Sequence, residues 1–326
     1  MMKTAIDDAR WMAAAVALSE RGRGRTTPNP NVGSLIVKDG RVLGRGWTQP
    51  GGRPHAEAMA LEQAGAATDG ATLYTTLEPC AHQSLRGPAC ADLLVAARPA
   101  RVVAALTDPD RRTAGEGFAR LRATGIAVTE GVGADSARRA MAGFLARQAF
   151  GRPHVTLKLA ISLDGKIALR SGESRWITSA EARAHTHLER AQADAILIGR
   201  GTLEADAPRL DVRLAGLEGR SPRRLLLSTG PAPEGWQSID APAAIGRLDT
   251  VDHLFVEGGA ATAAAFLAAD LVDRLLIYRA PILIGEGRAA VGDIGLTNLV
   301  AAHDRWALID SRAFGPDRLE IYERRR

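Results

Sequence analysis

Pro54-His55-Ala56-Glu57, followed by Leu77-Glu78-Pro79-Cys80-Ala81-His82-Gln83-Ser84-Leu85-Arg86-Gly87-Pro88-Ala89-Cys90, holds both cysteines of a 326-residue chain. Two cysteines cannot build a disulfide framework, and a pair set after a histidine points to metal or catalytic use. One imidazole and two thiolates give Zn²⁺ three protein ligands and leave a fourth position for water, which is a catalytic rather than a structural arrangement. The order suits this. His55 opens a helix, and the cysteines lie on a later loop and helix N-terminus, where the helix dipole favours thiolate. Zn²⁺ lowers the pKa of bound water to about 7. Glu57, two residues beyond His55, reaches that water without ligating the metal and passes its proton to a leaving group. The bland alternative is a buried thiol pair beside an ordinary helical His and Glu.

Outward from these motifs, strands and helices alternate. Ala5 to Arg21 has helical apolar spacing. Strands at Val32 to Val37 and Val42 to Gly46 flank an Asp39-Gly40 hairpin turn. A helix from His55 to Ala64, a strand at Ala71 to Thr76, a helix near Ala91 to Ala97 and a strand at Arg101 to Leu106 follow. The unit ends with a helix at Gly117 to Ala123, a strand at Ile126 to Thr129 and a single helix from Ser136 to Ala149. This pattern predicts a mixed sheet in a three-layer α/β/α domain over 1–149. Gly151-Arg152-Pro153 marks a boundary, and 150–326 read as a second α/β domain. Its strands are expected at 154–161, 194–199, 223–227, 252–256 and 273–280, with helices at 179–192 and 261–269. Residues 229–250, rich in Pro, Gly and Ala, read as loop.

Composition excludes several classes. No run of about 18 apolar residues spans a membrane, and the N-terminal residues lack a tripartite secretion signal. A cytoplasmic protein is expected. The net charge of +5 does not signal nucleic acid, because the basic residues are dispersed and aromatics are only 4% without interleaving Arg. Of the 42 basic residues only Lys3, Lys38, Lys158 and Lys166 are lysines. Arg cannot readily give up its proton, so Lys158 and Lys166 draw attention.

The first half resembles the cytidine-deaminase superfamily, whose zinc signature is His-x-Glu with Pro-Cys and a second Cys. More narrowly it resembles the bifunctional deaminase/reductases of riboflavin biosynthesis, through Thr27-Pro28-Asn29-Pro30-Asn31-Val32-Gly33, Gly52-x-Pro54-His55-Ala56-Glu57 and Thr76-Leu77-Glu78-Pro79-Cys80-x-His82. The wide Cys80–Cys90 gap and Asp108-Pro109 with Gly115-x-Gly117 are similar too. The resemblance implies deamination of a pyrimidine ribosylamino 5′-phosphate. It assigns His55, Cys80 and Cys90 to Zn²⁺, Glu57 to catalysis, Asn29 to the base and Arg86 to the phosphate. The loop between the cysteines is one residue longer than usual, and Asp108-Pro109-Asp110-Arg111 replaces the usual Asp-Pro-Asn-Pro.

Residues from Arg152 to Lys166 resemble the reductase half of the same family, as do Ser174-Arg175-Trp176-Ile177-Thr178-Ser179, Asp194 to Gly199, Thr202-Leu203-x-x-Asp206 and Val256-Glu257-Gly258-Gly259. A dihydrofolate-reductase-like fold using NADPH is implied. By resemblance Ser174, Arg190, Leu210, Arg213 and Glu257 touch the substrate, and Ala160, Trp176, Thr202, Asp206 and Gly259 touch NADPH. Lys158 and Asp206 are the candidates for proton management. A homodimer or homotetramer is expected of similar enzymes. The stretch 228–251 is shorter than the family's, which leaves open a deaminase with a degenerate reductase half; a nucleic-acid deaminase is a further, weaker alternative.

Overall fold

Side chains on successive strand residues face opposite sides of a sheet, and here the two sides meet different helices. The computed structural model describes residues 2–82 and 86–326. They divide into two compact units, one ending at Phe150 and one beginning at Gly151.

The first unit runs α1 (Met2–Ser19), β1 (Gly33–Lys38), β2 (Arg41–Trp47), α2 (Ala56–Ala64), β3 (Thr72–Thr75), α3 (Cys90–Ala97), β4 (Arg101–Ala104), α4 (Glu116–Ala123), β5 (Ala127–Glu130), α5 (Ala134–Ala140) and α6 (Ala142–Phe150). Its sheet order is β2-β1-β3-β4-β5. Leu35, Tyr74 and Val103 face Met12, Ala15 and Met141 on one side. Their neighbours Ile36, Leu73 and Val102 face Ala60, Leu94 and Leu121 on the other. The β1–β2 hairpin turns on Asp39 and Gly40, both at positive φ (52° and 71°), the mirror-image turn that matches strand twist.

The single closing helix expected over 136–149 is broken. Met141 leaves helical geometry at φ −101°, ψ 19°. The buried Asn31 amide donates to the Ala140 carbonyl at 3.0 Å and to the Ser19 carbonyl at 3.3 Å. A side chain that captures a carbonyl from outside competes with the helix ladder, and here it ties the ends of α1 and α5 together.

The second unit runs β6 (His154–Ile161), β7 (Lys166–Ala168), α7 (Ala180–Ala191), β8 (Ala195–Gly199), α8 (Arg200–Asp206), β9 (Arg223–Leu227), β10 (Trp236–Ile239), β11 (His253–Val256), α9 (Ala260–Ala268), β12 (Arg274–Arg279), β13 (Arg288–Ala289), β14 (Trp306–Phe314) and β15 (Asp317–Arg324). The main sheet order is β10-β9-β8-β11-β6-β12-β15-β14. It is parallel from β10 to β12 and antiparallel beyond. Residues 229–250 are not all loop: Trp236 to Ile239 pair in parallel with Arg224 to Leu227, and a short 3₁₀ helix spans Pro242–Arg247. Arg224 stacks over the Trp236 ring at 5.5 Å, so this edge strand is held by a cation–π contact that composition does not reveal. The β14–β15 hairpin, Trp306–Phe314 against Asp317–Arg324, adds a further antiparallel edge beyond the expected strands.

Candidate active sites

In the first unit the ligand atoms of His55, Cys80 and Cys90 lie within 4.8 Å of one another. His55 is the residue before α2, and Cys90 is the first residue of α3. The His55 Nδ1 is 3.6 Å from Cys80 Sγ and 3.3 Å from Cys90 Sγ. A tetrahedral zinc with its usual bond lengths needs about 3.5 Å between imidazole nitrogen and thiolate sulfur, so the donor set fits that metal. Both cysteines are buried and free. The Cys90 thiol, followed by His55, brings the Cys80 thiol down to about 4, and the Cys90 backbone N–H also donates to Cys80 Sγ at 3.3 Å. Cys90 itself is pushed up by its bond to Cys80 and by burial.

Glu57 is 3% exposed. Burial pushes its carboxyl up to about 7, and its Oε2 stands 3.6 Å from Cys90 Sγ. It therefore sits against the ligand triangle and can exchange a proton near neutral pH.

Loops bring the remaining expected residues in. A Cβ on Gly52, at φ +87°, would run into the Asn29 amide, so only glycine lets Asn29 stand beside the Gly52-to-His55 segment. The Arg86 guanidinium donates to the Gly51 carbonyl at 2.7 Å, placing it over the same segment. Residues 83–85, the middle of the longer loop, lie outside the described residues. His82 Nδ1 is 3.4 Å from Thr113 Oγ1.

Glu78 stands two residues before Cys80 in the Leu77-Glu78-Pro79-Cys80 motif. It is 2% exposed, and its carboxylate accepts from the backbone N–H groups of Asp108 (3.1 Å), Gly115 (2.9 Å), Gly117 (2.9 Å) and Phe118 (3.2 Å). It caps the open N–H groups of α4. A Cβ on Gly117 would collide with the Pro79 carbonyl, so α4 packs directly under the backbone that presents Cys80. The signal available in sequence was a Glu and a Gly with no local helix partner.

In the second unit, the connection after β8 leads outward to β9, whereas the one after β11 crosses β6 to β12. Adjacent parallel strands whose connections part in opposite directions leave a crevice at their carboxyl ends. A cleft of about 700 Å³ lies there, lined by Gly199 to Thr202 on one side and Glu257 to Thr262 on the other. The Gly259 N–H donates to Thr202 Oγ1 at 3.1 Å, and Cβ atoms on Gly199 or Gly258 would strike Thr262. Bare backbone on both loops, with α9 starting at Ala260, is a cradle suited to a dinucleotide diphosphate. Ala160, Thr202, Asp206 and Gly259 line this cleft, as does Lys158.

A neighbouring lobe of about 420 Å³ is lined by Ser174, Trp176, Arg190, Leu210, Arg213 and Glu257, and shares Lys158 and Asp206 with the first. Trp176, expected at the cofactor, lines this second lobe and is 66% exposed, with Arg183 over its ring at 4.6 Å. Arg190 grips Glu257 with two bonds of 2.6 and 3.0 Å. Burial would raise the Glu257 carboxyl, but Arg190 and then Lys158 outweigh it and hold it below its ordinary value. Burial lowers the Lys158 ammonium. Asp206 pairs with Arg175 at 3.3 Å, and Arg213 with Asp211. His187, absent from the sequence candidates, also lines the lobe, its Nδ1 3.1 Å from the Asp211 carbonyl and 3.3 Å from the Arg213 backbone nitrogen.

Comparison with known proteins finds relatives of both halves of the chain. Residues 5–106 match the cytidine and deoxycytidylate deaminase zinc-binding region, and residues 153–319 match the RibD C-terminal domain. The chain is 38% identical to riboflavin biosynthesis protein RibD of Escherichia coli over 96% of this chain and 98% of that protein. It is 39% identical to the Mycobacterium tuberculosis protein of the same name, with 96% of each covered. Among solved structures, Acinetobacter baumannii RibD aligns at TM-score 0.87 and 34% identity, covering 99% of this chain and 100% of that one. A Thermotoga maritima diaminohydroxyphosphoribosylaminopyrimidine deaminase/5-amino-6-(5-phosphoribosylamino)uracil reductase aligns at 0.89 and 30%, with the same coverage. The reductase half is present across its matched length, so the degenerate-reductase alternative does not hold. Zn²⁺ and NADPH are the cofactors of the two halves. The chain belongs to the RibD family and is a bifunctional deaminase and reductase of riboflavin biosynthesis.

Proposed function

We propose that residues 1–149 deaminate 2,5-diamino-6-ribosylamino-4(3H)-pyrimidinone 5′-phosphate and that residues 150–326 reduce the ribosyl chain of 5-amino-6-(5-phosphoribosylamino)uracil to ribityl. The observation that carries the first step is Glu57, buried and 3.6 Å from one corner of the His55, Cys80 and Cys90 triangle. Those three residues would hold Zn²⁺, which supplies Lewis acidity that makes water ionise near neutral pH. Glu57 takes a proton from that water and returns it to the departing amine; burial tunes it for both tasks. Asn29 orients the base, and Arg86, held over the Gly51 carbonyl, faces the phosphate.

In the reductase, the Gly199–Thr202 and Glu257–Thr262 loops would hold NADPH, which supplies the reducing equivalent. Ser174, Leu210 and Arg213 position the sugar phosphate, while Arg190 fixes Glu257 and through it the charge around Lys158. Lys158, its ammonium destabilised by burial, delivers a proton at the opening ribose, with Asp206 at the shared wall of the two lobes.

We further propose a homo-oligomer working in the cytoplasm. Its support is the edge strand β14, whose Leu308 is 57% exposed on an unpaired edge. Among the described residues no helix is long and apolar enough to cross a membrane. One preparation tests the enzymatic reading: zinc content, ammonia release from the diaminopyrimidine, and loss of NADPH absorbance with the deaminated product. Zinc without ammonia release, or no NADPH oxidation at saturation, overturns the corresponding half.

A further inference from the structure

The cofactor cleft has a direction. Lys158 and Ala160 stand at its β6 end, and Leu227 at its β9 end, with β11 and β8 between. Those three strand steps of about 4.8 Å place the ends about 14 Å apart. A dinucleotide with its nicotinamide beside Lys158 therefore carries its adenosine ribose toward β9. At that end stands Arg200. Its Nε and one terminal nitrogen donate to Ser228 Oγ at 3.2 and 3.0 Å, and the same terminal nitrogen donates to the Pro231 carbonyl at 2.6 Å. Ser228 also accepts the Gly230 N–H at 3.1 Å, and Ser238 Oγ donates to the Gly230 carbonyl at 3.1 Å. The guanidinium is thus fixed by the short segment after β9, with its other terminal nitrogen uncommitted in these bonds.

The charges around it are one-sided. Of the other cations lining the cleft, Lys158 is on β6, and Arg288 is on β13, which pairs with β7 away from the β9 end. The lining carboxylates are Glu257, held by Arg190, and Asp206, paired with Arg175. Leu227-Ser228-Thr229-Gly230 offers no acid, and Asp240 beyond it is paired with Arg247 at 2.8 Å. A carboxylate at this place in a dinucleotide site selects the free ribose 2′-hydroxyl, whereas an arginine accommodates a 2′-phosphate. We propose that Arg200, clamped by Ser228, is the residue that selects NADPH over NADH by binding the adenosine 2′-phosphate. This rests on the reading of the cleft as the NADPH site.

The test is direct binding without substrate, by nicotinamide fluorescence, of NADPH and NADH to the wild-type protein, Arg200→Gln and Arg200→Lys. Charge-assisted bonds of this kind set the expected loss at about 10- to 100-fold in NADPH affinity for Arg200→Gln, a smaller loss for Arg200→Lys, and less than about threefold for NADH in either. Displacement of NADPH by 2′,5′-ADP should weaken in parallel, and displacement by 5′-AMP should not. Equal weakening of both dinucleotides, or an unchanged NADPH preference, overturns the role of Arg200 while leaving the cleft assignment standing. A wild-type protein that binds neither dinucleotide overturns the cleft assignment itself. Should Arg200→Gln not fold, Ser228→Ala carries the test: loosening the clamp is expected to weaken NADPH alone by about 3- to 10-fold, and no selective change refutes it.

Discussion

Replacing Glu78 by Gln swaps one carboxylate oxygen for an N–H donor at a place where only acceptors fit. Oε1 receives the N–H groups of Gly115, Gly117 and Phe118, and Oε2 those of Asp108 and Gly115. With its oxygen kept at the Oε1 position, the amide of Gln faces the Asp108 N–H donor to donor. One buried N–H left unsatisfied costs about 1–3 kcal/mol. The three retained bonds, about 1.5–3 kcal/mol each when charge-assisted, lose roughly half their strength, for a combined loss of about 3–7 kcal/mol. At 1.36 kcal/mol per factor of ten, amides in the segment 106–118 should exchange hydrogen at least about 100-fold faster. Exchange read by mass spectrometry on the zinc-loaded full chain measures this, with peptides from 151–326 as internal reference. Because α4 packs beneath the Pro79 carbonyl, the same variant should release zinc faster to a chelator. Protection in 106–118 within about twofold of wild type would refute the assignment of Glu78 as the anchor of this segment.

Three other outcomes are expected. Glu57→Gln should keep stoichiometric zinc, lose deamination by at least about 10²-fold and leave NADPH oxidation intact; loss of zinc in that variant would mean Glu57 serves the metal rather than the proton. Cys80→Ser should lose both zinc and ammonia release, as measured by metal analysis beside the deaminase assay. In the second unit, Asp273 binds Arg152 at 2.7 Å and accepts the Val155 N–H at 2.8 Å. Burial would raise its carboxyl, but the Arg152 bond and nearby His154 outweigh it and hold it below its ordinary value. The stabilisation is therefore complete above about pH 4 and is lost as pH falls through the depressed folded value. Asp273→Asn should cost about 3–5 kcal/mol at pH 7, shrinking toward pH 2 in denaturant unfolding of the second unit; a gap independent of pH would contradict the ion-pair account.

The elements with strong local signals were legible. β6 carries an apolar run whose burial alternates over its second half, and the β1–β2 hairpin a two-residue turn, both of which the sequence expresses directly. The broken α5–α6 helix was not, because its cause is Asn31, distant in the chain, taking the Ala140 carbonyl. Likewise β10 is too short, and its flanks too rich in Pro and Gly, to reveal itself without Arg224 to stack on Trp236. The site followed the same division. His55, Glu57, Cys80 and Cys90 are readable because metal chemistry restricts both residue type and order. Glu78, His187 and Arg200 are not, since nothing local distinguishes a carboxylate that caps a helix 37 residues away from one in water.

By itself, the sequence determined the reaction type: with only two cysteines, placed after a His-x-Glu, few other chemistries remain. The wide spacing of that pair resembles the riboflavin branch of the deaminases. Tertiary structure alone decided that the two thiols and the His55 ring meet, with the Cys80 thiol brought down by Cys90 and His55. It also decided that Glu57 is buried enough to hold a proton near neutrality, and that the cleft between β8 and β11 carries Arg200 in its lining. The reason is that pKa values and ligand selectivity depend on burial and on charges brought together across the fold, and those distances are set by packing rather than by residue order.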